Sequence, residues 1–352
     1  MPRSARTPRL AVATAAAIAT AAGLGAVPAA AKTAPAASAG PVGQVFMVNP
    51  VQSTGDESLT DGKDAATAVP ASAYATVALR NLDGSGRLSG RWAVVRSETG
   101  TPASSASGDF RYTRDADQFE QVMAYFWVNE AQEYLQSLGF GSELPGANDR
   151  AQPVRINQWG SDNSFFTDKK DEIRFGKGGV DDAEDAEVIV HEYGHAVHEA
   201  QVPGFGTSPE AGAIGEAFGD YLAVAVGAAA DAKYGWVSLA PEACVADWDS
   251  TGYTAGPVHC LRRLDTGKVY GDKVGEVHAD GEIWSQALYD IRKALGARTA
   301  DRIIVNAQFS FAPDTSFSAA ALATVDTARR MYGAGAADTV RQAFAARQIP
   351  GL

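Results

Sequence analysis

The 352-residue chain is poor in cysteine, in histidine and in positive charge, and each shortage removes a class of explanation. Its two cysteines, Cys244 and Cys260, lack the two further ligands at finger-like spacing that a structural zinc site needs. In an oxidising compartment their expected state is one disulfide. A loop of that size adds about 3 kcal/mol of stability in the chain-entropy model. Lysine and arginine number 30 against 42 acids, a net charge of −12, which argues against nucleic-acid or anionic-membrane partners because both need basic patches. Beyond the N-terminus no span reads as a bilayer crossing: Tyr221 to Ala230 is bounded by Asp220 and Asp231. No internal repeat is visible.

The N-terminus carries Arg3, Arg6 and Arg9 with no acid, then an apolar alanine-rich run from Leu10 to Val27, then Ala29-Ala30-Ala31. A positive region, a short apolar region and an A-x-A site predict a signal peptide over 1–31, cut after Ala31. Its removal would take the charge from −12 to −15 through the loss of those three arginines. The expected product is a secreted, extracellular, monomeric protein with no membrane association.

Of only five histidines, two stand in His191-Glu192-Tyr193-Gly194-His195. On a helix the i, i+4 pair turns two imidazoles to one face, where they can converge on one Zn²⁺, and Glu192 at the edge of that face can take a proton from an activated water. A catalytic zinc needs a third protein ligand. His198 is seven residues from His191, roughly 10 Å along the axis, and cannot share the ion. The candidates left are Glu216 and Asp220. They follow a Pro/Gly/Ser-rich turn, Pro203 to Pro209, on a segment whose Ile214, Ala217, Phe218, Tyr221 and Leu222 recur at helical spacing. As i, i+4 neighbours, one acid can bind the metal while the other accepts a hydrogen bond from a ligating imidazole.

His191 to His195, with Gly212-Ala213-Ile214-Gly215-Glu216 and Asp220, resembles the gluzincin metallopeptidases of the thermolysin and fungalysin families. The resemblance spans roughly 115 to 352. Upstream, Asn163-Ser164-Phe165-Phe166 and Asp171 to Gly176 are similar to the edge strand that hydrogen-bonds the substrate peptide in thermolysin-like enzymes. Downstream, Glu276-Val277-His278 with Gly281-Glu282-Ile283-Trp284 is similar to the segment whose histidine stabilises the oxyanion. The resemblance implies His191, His195 and Glu216 as zinc ligands, Glu192 as general base and His278 as transition-state donor. It further implies Asp220 as the group orienting His191 and Asn163 as a contact to the substrate backbone. Arg262 or Arg263 would correspond to the arginine that holds the substrate carbonyl, with Arg263 the residue chosen, and Tyr253 is a guess for the family's tyrosine. Gly215 stands where thermolysin has an asparagine that holds the second histidine, so His195 has no assigned partner.

The implied fold is α+β, a two-lobed zincin with a β-rich N-terminal lobe over 44–183. The active-site helix and a helical C-terminal lobe follow over 184–352. Residues 32–43 read as a flexible lead-in, and a short pro-segment could lie within 32–109. Ala75 to Leu79 and Gly90 to Val95, split by Asp83-Gly84-Ser85-Gly86, read as hairpin strands. Asp117 to Leu138 reads as an amphipathic helix, with strands near 154–159 and 172–175. Helices are expected over 280–295, 299–310, 316–332 and 336–347. The acidic run Asp181 to Glu187 either caps the active-site helix or contributes oxygens to a Ca²⁺ ion. The expected activity is that of a secreted zinc endopeptidase acting on polypeptides. A zinc-bearing non-catalytic surface protein and a zinc exopeptidase are its rivals.

Overall fold

The helix α2 (Asp117–Ser137) is buried over most of its length and packs against strands of two small sheets and against the helix that carries His191 and His195.

 Fifteen of its residues are buried, among them Phe119, Val122, Phe126 and Trp127. The computed structural model describes residues 40–96 and 100–352, so the expected signal peptide and most of the lead-in lie outside the described residues.

The first sheet has the order β2-β1-β4: β1 (Val42–Phe46) runs antiparallel to β2 (Tyr74–Ala78) and parallel to β4 (Asp109–Phe110). A short helix, α1 (Pro50–Thr54), follows β1 and is capped by Asn49, whose side chain accepts from the Gln52 N–H. β1 begins at Val42, inside the stretch expected as flexible lead-in. The second sheet has the order β3-β5-β7-β6, from β3 (Ala93–Val95), β5 (Gln152–Arg155), β6 (Phe165–Thr167) and β7 (Glu172–Arg174). The expected hairpin between 75–79 and 90–95 does not form. β2 pairs with β1 and β3 with β5, in different sheets, and the two segments are linked only beyond the end of β2, by the isolated bridge Leu82↔Gly90 and the Arg91 N–H on the Asn81 carbonyl. Non-local pairing that buries Val77 and Ala93 overrides the local turn signal. Among the described residues β6 pairs only with β7, which leaves its other side an open edge.

The rest is helical. α3 (Ala186–Gln201) is capped by Asp185, whose side chain accepts from the Glu187 N–H, and α4 (Pro209–Tyr234) by Ser208, which accepts from the Ala211 N–H. A two-stranded ribbon, β8 (Cys244–Val245) and β9 (Arg262–Arg263), is bridged by the Cys244–Cys260 disulfide. Then come α5 (Val277–Leu295), α6 (Ala297–Gln308), α7 (Phe317–Tyr332) and α8 (Ala334–Ala346). α4 is long and apolar enough to cross a membrane by composition, contrary to the sequence reading, but 83% of its apolar window is buried inside the protein. It is the core helix of the C-terminal lobe, packed between α3 and α5. The architecture is α+β and two-lobed, as expected.

Candidate metal centre and catalytic cavity

α3 and α4 approach closely because two glycines face each other. A Cβ on Gly194 would stand 2.9 Å from the Gly219 Cα, and one on Gly219 would stand 2.6 Å from His191 Nδ1. That approach brings the acids of α4 under the histidines of α3. His191 Nε2 lies 3.1 Å from His195 Nε2 and 3.2 Å from Glu216 Oε2, and His195 Nε2 lies 3.6 Å from Glu216 Oε1. Two donors each about 2.05 Å from a tetrahedral zinc ion stand roughly 3.3 Å apart, so the three side chains fit that ion. Glu216 Oε2 is buried without a hydrogen bond, the state of a ligand atom facing its cation.

The surrounding groups fix orientation and charge. His191 Nδ1 is 2.8 Å from Asp220 Oδ1, so its N–H donates there and its Nε2 lone pair faces the other two donors. Arg262 Nε and Nη2 clamp Asp220, each at 2.7 Å. Burial pushes Asp220 up, but Arg262 and His191 outweigh it and hold its carboxyl down at about 2. Among the described residues no group hydrogen-bonds His195 Nδ1; Gly215 lies beneath it and has no side chain to offer. Burial, partly offset by Glu216, pushes His195 down to about 4.

Glu192 sits in the same cleft, of about 1000 Å³. Burial raises its carboxyl to about 7, against the opposing pull of His191 and of the nearby Phe166 backbone N–H. His278, at the start of α5, places Nδ1 2.6 Å from Glu276 Oε1 and Nε2 3.3 Å from Glu216 Oε2. Asn163 lines the cleft just ahead of β6, and its carbonyl accepts from Trp159 Nε1.

Arg263 is placed differently from the sequence reading. Its side chain pairs with Asp265, while Arg262 lines the cleft. The two are neighbours on β9, and successive strand residues point to opposite faces. Tyr253 lines the cleft with its hydroxyl on Asp249 Oδ2 at 2.8 Å. His198 is buried against Phe205, ring centroids 4.1 Å apart, away from the three donor atoms. Sequence reasoning missed Asp162 and Asp249, which meet Asp182 in the cleft. They come from segments distant in sequence, and no local spacing announces them.

Fold and site together resemble those of the thermolysin-like metallopeptidases. Residues 204–349 match the family described as thermolysin metallopeptidase, alpha-helical domain. Among solved structures the chain is similar to the precursor of protealysin, a metalloproteinase from Serratia proteamaculans, at 18% identity and a TM-score of 0.51. That likeness covers 65% of this chain and 78% of the other. No curated protein matches the chain. The family match covers less than half of the chain, and the structural likeness extends the resemblance to the fold.

Proposed function

We propose that this is a secreted zinc endopeptidase in which His191, His195 and Glu216 hold the metal and Glu192 is the general base. The observation that carries the reading is the convergence of three donor atoms 3.1 to 3.6 Å apart beside a buried carboxylate in one cleft. Zinc bound there would supply Lewis acidity towards the scissile carbonyl and the attacking water. Glu192 takes the water proton and passes it to the leaving amine, a role helped by a carboxyl poised near neutrality. His278 turns Nε2 into the cleft, where it can donate to the developing oxyanion. Asp220, clamped by Arg262, holds the His191 ring. The free edge of β6, preceded by Asn163, offers backbone groups to an extended polypeptide.

Export fits the disulfide and the N-terminal sequence pattern. Calcium belongs to the reading through the acidic run, where burial and like charge raise Asp181 to about 7 and Glu187 well above its usual range. Asp185 is already engaged as the α3 cap.

Glu192→Gln tests the reading. The variant should keep its fold and its zinc by metal analysis while hydrolysis of an unstructured protein falls at least about a hundredfold. In the parent enzyme the cuts should be internal, stop on chelation and return with added zinc. A fully active variant, or release of terminal residues alone, would reject the assignment.

A further inference from the structure

The cleft that holds Glu192 also holds three aspartates without a counter-charge. Asp162, Asp182 and Asp249 come from separate segments, and one carboxylate oxygen of each lies within 4.8 Å of the others. Asp182 and Asp249 are 2% and 4% exposed, and the Oδ1 atom of each is buried with no hydrogen-bond partner. Their Oδ2 atoms accept the hydroxyls of Ser164 and Tyr253. Among the described residues no lysine or arginine forms an ion pair with any of the three; Arg262, in the same cleft, pairs with Asp220 instead. Burial raises Asp162 to about 6; burial and the neighbouring acids raise Asp182 to about 7 and Asp249 well above its usual range. The loops close tightly around the group: a Cβ on Gly179, whose φ is +77°, would stand 2.5 Å from Asp162 Oδ2.

The position of the group says what it meets. Ser164 touches Asp182, and Phe166, two residues further along the same edge, brings its backbone N–H near enough to Glu192 to favour the charged carboxylate. At about 3.3 Å per residue, a chain lying along that edge reaches the acids within one or two residues of the bond facing Glu192. Asp162 is exposed and forms the mouth, with Asp182 and Asp249 as the buried floor.

We propose that these aspartates form a cation-selecting subsite, and that the enzyme prefers polypeptides with lysine or arginine within two residues of the cleaved bond. The proposal rests on the peptidase reading and refines it. A substrate ammonium or guanidinium supplies N–H donors to the unpartnered oxygens and enters and leaves through the exposed mouth. Ca²⁺ would need six to eight oxygens, and the group offers three carboxylates with two oxygens already engaged.

The test uses N-acetylated, internally quenched peptides in which one lysine, or norleucine in its place, walks across the two residues on either side of the cut. At one position lysine should raise kcat/KM by at least about tenfold over norleucine. Asp162→Asn, a replacement at the exposed mouth, should bring that ratio towards one. Anisotropy with the Glu192→Gln protein should show the same preference in binding. Equal cleavage at every position overturns the subsite and leaves the peptidase reading standing. Cleavage of neither peptide overturns the peptidase reading, and equal binding to the Glu192→Gln protein then overturns the subsite as well. Loss of the lysine preference in excess calcium, or a preference only for unacetylated peptides, overturns it in favour of a metal or a chain terminus.

Discussion

His198 is 2% exposed, stacked on Phe205 and near Phe218, and neither of its ring nitrogens has a hydrogen-bond partner. Burial, and then the nearby His195, pushes it down to about 3 from an ordinary value of 6.5. The unfolded chain therefore binds a proton as pH drops through 6.5 while the folded chain does not until about 3. The stabilisation is complete above the unfolded value and is lost as pH falls towards the folded one. His198→Phe should move the acid-unfolding midpoint to lower pH, read by circular dichroism; an unchanged midpoint would show that this ring does not contribute. The same residue illustrates what spacing can decide, since axial rise alone separates it from a ligand set with His191. Spacing could not choose between Arg262 and Arg263, because that depends on which face of β9 meets the cleft.

Between elements, the α3–α4 contact sets the metal site. Gly219→Ala places a methyl group 2.6 Å from the original position of His191 Nδ1, and the neighbour is a ring held by Asp220. The helices must part or the ring must turn. Expected results are a loss of about 1–3 kcal/mol in chemical denaturation and less than one bound zinc per chain. Full zinc content with parent stability would mean that the contact relaxes freely. The helices carrying this site were legible because their apolar periodicity is local, and Asp185, Ser208 and Ser316 mark starts by side chains that cap. Strand partners were not. Nothing within 75–95 says that β2 turns to residues 42–46 while β3 turns to 152–155.

Across the whole molecule, the Cys244–Cys260 bridge closes a separation of 16 residues and ties β8 to β9, two residues ahead of Arg262. Reduction should cost about 3 kcal/mol, read as a shift in the denaturation midpoint with and without a reductant, and should lower activity by loosening the clamp on Asp220. Unaltered stability and activity would show that the ribbon holds without its bridge. The open side of β6 has a further consequence. An edge strand accepts only backbone that is already extended and unpaired, so a folded protein presents a target only where a segment of its own has come loose. Turnover on native proteins would then track how often each client opens, and the same enzyme would be fast on damaged chains and slow on intact ones.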